Sequence, residues 1–244
     1  MIYVYAFFFF LVALIYSAAG FGGGSMYLAI LAQAALPVQT VRMTALTCNA
    51  IVTAGGTWQF HKSNWIVWRG VLPLLACSVP PCLFAASLEL TEKTYYISLA
   101  IALLIAAVFM LWRRPIAEDS VARPVRWWMY PLSFLIGGIS GITGIGGGIY
   151  LAPFLYLTSW GSPKQIAGAS SAFILVNSIA GLCMQIFAHG WCIEADAWPL
   201  PVAVFAGGLL GSRFSSARFT HGSIRWVTVV IIIFAAIRTL WKYL

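Results

Sequence analysis

Two runs of three glycines, Gly22-Gly23-Gly24 and Gly146-Gly147-Gly148, each open a short apolar stretch, and their chemistry is that of bare backbone. Glycine costs a helix interior about 1 kcal/mol relative to alanine, so three together break a helix or leave it loose. Amide N–H groups freed at such a break, with the positive end of the following helix, form a nest for a negatively charged group. The competing reading is close helix packing through small residues. Two triple clusters, each placed before a short helix, favour the anion site.

A polar stripe follows each cluster. Thr44, Cys48, Ile51 and Gly55 fall at i, i+4, i+7 and i+11, which is one face of a helix. Ser170, Ile174, Asn177 and Gly181 repeat those offsets, with Thr47 and Ser171 alongside. Hydroxyl and amide groups donate hydrogen bonds to an oxyanion without adding a charge that would trap it; the same groups also glue neighbouring helices together. Asn49 has no counterpart in the repeat register, and weight falls on Asn177. Arg42 begins the helix bearing the first stripe. It suits a bidentate grip on an anion, but its counterpart is Gly168, so the expectation is that it snorkels to the membrane interface. Gln59 and Gln185 end the two helices and are placed at cavity mouths.

Acidic groups are absent from these stretches. Glu89, Glu92, Glu118, Asp119, Glu194 and Asp196 all fall in loops or at segment ends, as do His61, His189 and His221. A cation or proton carrier usually has an intramembrane carboxylate. The pattern suits an anionic or neutral solute, and no His/Cys/Asp/Glu grouping has metal or nucleophile–base spacing. No catalytic residue, metal or cofactor is expected. Cys48, Cys77, Cys82, Cys183 and Cys192 form no CxxC pair and read as packing residues.

The elements that must position these residues are membrane helices. Of 244 residues 61% are hydrophobic and 8% charged, against about a quarter charged in a soluble domain. Apolar runs fall at 2–18, 25–36, 41–58, 66–86 and 95–112, then at 128–142, 147–158, 166–187, 197–212 and 224–241. The fold class is therefore all-α, a polytopic membrane protein with about eight to ten membrane segments. The runs 25–36 and 147–158 are too short to span alone, because twelve residues of helix reach only ~18 Å; each reads as half of a glycine-broken, re-entrant pair. The first run lacks the positive flank of a signal peptide and reads as a retained helix. Tryptophans at segment ends, among them Trp65, Trp127, Trp128 and Trp191, read as interfacial anchors.

The chain repeats itself. Gly22–Gly24 and Gly146–Gly148 match at an offset of 124; after a two-residue insertion the offset is 126. At that register Pro37 meets Pro163, Gln39 meets Gln165, Thr44 meets Ser170, Gly55 meets Gly181, Gln59 meets Gln185, Trp65 meets Trp191 and Pro73 meets Pro199. The domains are a first membrane repeat over 1–112, a linker over 113–126 and a second repeat over 127–244. With five segments per half and the linker in the cytoplasm, ten of the 14 Lys and Arg residues fall inside and four outside. The positive-inside rule prefers that arrangement, which makes the repeats inverted. The net charge of +8 is then an orientation signal, not a nucleic-acid footprint.

The glycine pair Gly20-x-Gly22-Gly23-Gly24 and Gly144-x-Gly146-Gly147-Gly148, with the P-x-x-I-A-G-A-S-S run from Pro163 to Ser171, resembles the sulfite exporter TauE/SafE family over nearly the whole chain. The first copy departs from the commoner pattern at Arg42-Met43-Thr44. The resemblance implies a multi-pass permease of a bacterial inner membrane for sulfite, sulfonates such as sulfoacetate, or related anions. The residues alone reach only a small anion, gripped between the two repeats at Gly22, Gly23, Gly24, Thr44, Gly146, Gly147, Gly148, Ser170, Ser171 and Asn177, with Arg42 as a further candidate. Pro73, Pro80, Pro81, Pro199 and Pro201 are candidate flexible points for alternating access. The expected partners are that anion and membrane lipid, with no nucleic acid and with room for a homodimer. An anion channel is the alternative, and a thiol-dependent membrane enzyme or accessory subunit acting through Cys48 and Cys183 is a more distant one.

Overall fold

A computed structural model describes residues 2–18, 21–34, 36–111, 122–193 and 195–214, and within 229–243 all but 231, 232, 235 and 242. Gly20, most of the linker, Glu194, His221 and the bulk of the last apolar run lie outside the described residues. The described elements are helical: α1 (Ile2–Ala18), α2 (Gly24–Leu31), α3 (Val38–Lys62), α4 (Trp68–Ala86), α5 (Glu92–Leu111), α6 (Met129–Thr143), α7 (Gly148–Leu157), α8 (Pro163–His189) and α9 (Pro199–Phe214), with one 3-10 turn before α9. Further helical residues lie between 229 and 243. These ranges follow the apolar runs closely, because each run is long enough to satisfy its own backbone and is bounded by Pro, Gly or charge.

Burial is distributed inside out relative to a soluble protein. Phe7, Phe84, Phe134, Leu135, Phe187, Val202 and Phe205 are each exposed by half or more of their surface, whereas a set of polar side chains points inward. That inward set comprises Arg42, Asn49, Ser170, Ser171, Asn177, Ser178 and Gln185, all at 2% exposure or less. Lipid makes outward apolar side chains free of cost, while polar side chains inside the membrane face the bundle interior. Among the described residues α4 and α8 are long and apolar enough to cross a bilayer alone, and α1, α6, α7 and α9 are shorter apolar helices.

The packing scheme survives exchange of the two sets of helices. α1 lies along α9 as α6 lies along α4; α3 meets α9 as α8 meets α4; α2 packs on α3 as α7 packs on α8; and α3 crosses α8 at the centre. Both long crossings depend on glycine. A Cβ on Gly137 or Gly141 of α6 would strike the carbonyl oxygens of Ser78 or Cys82 on α4, and one on Gly207 or Gly211 of α9 would strike those of Phe10 or Leu14 on α1. Each is a small-xxx-small pair that lets backbones touch.

The matched prolines of α4 and α9 differ in position. Pro73, Pro80 and Pro81 lie inside α4, whereas Pro199 is the first residue of α9 and Pro201 lies in its first turn. Proline is tolerated at a helix start because the missing N–H has no intrahelical partner there. Pro199 and Pro201 therefore begin α9 without kinking it, and the matched Pro73 and Pro199 occupy unlike positions.

Candidate functional site

Both glycine clusters break a helix pair. Gly23 stands at the N-cap of α2 with φ +85°, and Gly147 at the N-cap of α7 with φ +78°. Gly144 closes α6 at φ +77° and Gly146 follows at φ +86°. Gly23 in the first break and Gly144, Gly146 and Gly147 in the second occupy the left-handed region, which explains the residue type there, since side chains with a Cβ avoid it. The amides of Met26 and Tyr27 turn back to the Gly23 carbonyl, and those of Tyr150 and Leu151 to the Gly147 carbonyl. The amides one step earlier, Gly24 and Ser25 in α2 and Gly148 and Ile149 in α7, are first-turn donors without an intrahelical acceptor. Neither N-cap supplies a side-chain cap.

The side chain between the breaks is Asn49. A Cβ on Gly22 or Gly24 would overlap its amide, and one on Gly146 would lie 3.2 Å from its Nδ2. Asn49 Nδ2 donates to Ile145 O at 2.9 Å, inside the second break. Its Oδ1, turned toward Gly22 and Gly24, is buried with no hydrogen-bond donor. Thr53, one turn on, donates back to Asn49 O at 2.6 Å. The repeat register missed Asn49 because the amide exists in one half only; the signal available was an asparagine seven residues after Arg42, on a face running through Leu46, Thr53 and Gly56.

α8 supplies the other wall. Ser178 Oγ would lie 2.7 Å from a Cβ on Gly146, and Ile174 packs on both Gly146 and Gly148. Ser170 brings its carbonyl oxygen to Gly148. The hydroxyls of Ser170 and Ser178 are buried without a partner. Ser178 was not singled out from the sequence, although it lies one turn beyond Ile174 on the same face.

The remaining candidates divide by neighbour. Ser171 joins α8 to α3: Thr57 Oγ1 donates to Ser171 Oγ at 3.3 Å, and Ser171 Oγ donates to Thr53 O at 3.4 Å. Asn177 faces α4, donating from Nδ2 to Ser78 Oγ at 3.0 Å and to Phe173 O at 2.9 Å. Thr44 is buried at 3% exposure and is not among the nearest neighbours of either glycine cluster. On α3, Ile51 and Gly55 are only half-buried, and a Cβ on Gly55 would meet open space, so the buried polar face of this helix runs through Arg42, Asn49 and Thr53 instead. Gln59 is exposed. Gln185 is not at a mouth: it is fully buried and donates from Nε2 to Ala86 O, at the end of α4.

Arg42 corrects the snorkelling expectation. It is 2% exposed and donates from Nη2 to Gly141 O at 2.7 Å and to Ala86 O at 3.4 Å, with its guanidinium carbon 5.7 Å from the Tyr95 ring centre. The physical reason is that two helices end there, α4 at Ala86 and α6 at Thr143, and unsatisfied C-terminal carbonyls attract a cation. Tyr95 adds its hydroxyl to Thr143 O at 3.1 Å. Cys48 is fully buried on the inner side of α3 and Cys183 is exposed on α8, so the two thiols do not share a site.

With this geometry, the relatives are informative. Residues 5–239 match the sulfite exporter TauE/SafE family. The probable membrane transporter protein y4hK of Sinorhizobium fredii is 31% identical over 243 residues, covering 96% of each chain. A probable membrane transporter protein of Haemophilus influenzae is 31% identical over 191 residues, covering 70% of this chain and 68% of its own. Sulfite exporter TauE/SafE family protein 6 of Arabidopsis thaliana is 32% identical over 94 residues, 38% of this chain and 22% of its own. No solved structure matches. The chain belongs to the sulfite exporter TauE/SafE family, and it is a membrane transporter, not an enzyme.

Proposed function

We propose that this TauE/SafE-family transporter exports a small sulfur-containing oxyanion, sulfite or a sulfonate such as sulfoacetate, across a bacterial inner membrane as a multi-pass permease. The halves 1–112 and 127–244, joined by the linker 113–126, act as inverted repeats that rock about a site near the membrane midplane. The anion is held at the second break, by the Gly146–Gly148 segment and the first-turn amides of α7, with the Ser170 and Ser178 hydroxyls donating from α8. The first break, Gly22–Gly24, is filled by the Asn49 amide, which latches it to the second. Thr44, Ser171 and Asn177 hold the surrounding helices in register.

One observation carries the reading: the buried Ser178 hydroxyl, which has no acceptor, lies against Gly146 beside the first-turn amides of α7, and the likewise unpartnered Ser170 stands two turns earlier on α8. An unsatisfied buried polar group costs about 1–3 kcal/mol, and an oxyanion supplies the acceptors these donors lack. Sulfite counterflow in proteoliposomes tests it. Uptake of labelled sulfite should saturate, be competed by sulfoacetate but not by acetate, and vanish in Gly147→Val, whose left-handed φ and Phe173 contact leave no room for a branched side chain. Non-saturating flux, or a fully active Gly147→Val protein, would refute the site.

A further inference from the structure

Arg42 carries a buried charge that no carboxylate balances. It is 2% exposed, and among the described residues its polar partners are two backbone carbonyls, Gly141 O and Ala86 O. The guanidinium stays protonated in proteins. Each helix C-terminus is equivalent to roughly half a negative charge, so the ends of α4 and α6 together offset about one unit. Arg42 is thus an electrostatic plug at two helix ends.

One of those ends belongs to the proposed site. Gly141 lies in the last turn of α6, and the chain runs from there through Gly144 into the Gly146–Gly148 segment. The Arg42 backbone passes 3.8 Å from the place a Cβ on Gly144 would occupy. A broken helix presents its negative end and the next helix's positive end side by side, and the first repels the ligand that the second attracts. Arg42 cancels the repulsive end while leaving the α7 amides free. Its Nε has no acceptor, and Gln185 Oε1 beside it has no donor. Arg42 and Gln185 share the Ala86 carbonyl, which places the two side chains together.

We infer that Arg42 is a specificity-positioning residue that makes this transporter favour doubly charged over singly charged oxyanions, acting through the end of α6 without touching the ligand. The inference rests on the anion site at the second break. A Coulomb interaction is linear in the ligand's charge. At about 10 Å and an effective dielectric near 20, the Arg42 charge changes affinity by roughly tenfold to twentyfold per unit of ligand charge. A dianion therefore gains that factor twice and a monoanion once. Loss of shape or packing carries no such charge dependence.

The test uses purified full-length protein, with binding of sulfate and of methanesulfonate measured by isothermal titration at fixed ionic strength. The two probes share a sulfonyl group and differ by one unit of charge. In Arg42→Gln the sulfate-to-methanesulfonate affinity ratio should fall about tenfold, and in Arg42→Lys it should stay within about threefold of wild type, because the charge remains when the planar fork is lost. Gln185→Glu gives the same reading without removing the arginine: a carboxylate beside the guanidinium neutralises it in place, and the ratio should fall as in Arg42→Gln. Equal weakening of both probes in Arg42→Gln and Gln185→Glu, or an unchanged ratio in Gln185→Glu when Arg42→Gln does not fold, overturns the inference and leaves the anion site standing. Wild-type protein that binds neither probe, nor sulfite, overturns the site itself.

Discussion

The two helix breaks share a backbone and differ in what faces it. Gly22 looks onto Asn49 and Thr53, and Gly146 looks onto Ile174 and Ser178, in each case two side chains four residues apart on the helix that follows. At Gly22 the nearest polar atom is an acceptor, Asn49 Oδ1, and at Gly24 it is the same amide's Nδ2; at Gly146 it is a hydroxyl, Ser178 Oγ, which can donate. The Asn49 amide, wedged against Gly22 and Gly24, fills the space an oxyanion would need. A donor beside helix-start amides extends the nest. On the proposed reading the two breaks divide the work, the first filled by the protein's own amide and the second left to a ligand.

The largest expected effect comes from putting a side chain into the second break. In Gly148→Val the new Cβ meets Ile174 and the Ser170 carbonyl. Overpacking of about 1–3 kcal/mol should cost roughly tenfold to a hundredfold in sulfite affinity. Gly24→Val strikes the Asn49 amide instead, and it should lower the thermal midpoint more than the affinity. Gly55→Val, which meets open space, should change neither. Equal loss of affinity from Gly24→Val and Gly148→Val would mean the breaks are equivalent.

A smaller effect isolates the donors. Removing the Ser170 and Ser178 hydroxyls together should raise the half-saturating sulfite concentration about tenfold, at about 0.5–1.5 kcal/mol each. Stability should hold within ~0.5 kcal/mol, since neither hydroxyl has a partner to lose. Thr53→Val is the matched control in the first break, where the hydroxyl already donates to Asn49 O.

Much of this was legible in the residues, and the parts that were not have physical reasons. The helix ranges and both breaks follow from apolar run length and glycine, which act locally. Ser170 follows from a stripe of period 3.6 on a helix with one polar face. α3 is buried on several sides, so Cys48, Thr44 and Asn49 are all interior and periodicity cannot select among them. Alignment of the halves points away from Asn49, which at the 126 register meets Leu175. Arg42 was misplaced at the interface for a related reason: its partners are the carbonyls of Ala86 and Gly141, and a backbone carbonyl leaves no mark in a sequence. Gln39 and Gln165 match in the repeat register but differ in role. Gln165 forms a capping box with Ser162, while α3 has Pro37 at its N-cap and no side-chain cap.

Asn49 ties the breaks together, and its replacement should act on stability more than on transport. Asn49→Ala loses the bond to Ile145 O and leaves that carbonyl bare. Polar contacts between membrane helices are worth about 0.6 kcal/mol on average and up to ~1.7. A loss of about 1 kcal/mol, read as a lower thermal midpoint in detergent, is expected, with sulfite half-saturation moved less than about threefold. A large loss of affinity with unchanged stability would make Asn49 a ligand contact and the first break a second half of the site.

The smallest effect belongs to Thr57 and Ser171, which join α3 to α8 away from the glycines. Thr57→Val and Ser171→Ala should each cost under about 1 kcal/mol. The double variant should cost less than the sum, because one 3.3 Å bond is removed by either change. Transport should be unaltered in all three. The same chemistry, a serine hydroxyl on α8, is helix glue at position 171 and, on the proposed reading, a ligand donor at position 170, one residue and about 100° around the helix away. The side that a hydroxyl faces, not its presence in the stripe, decides between the two. A rise in half-saturation from Ser171→Ala as large as that from Ser170→Ala would remove that distinction, and with it the assignment of the site to the face that looks onto the second break.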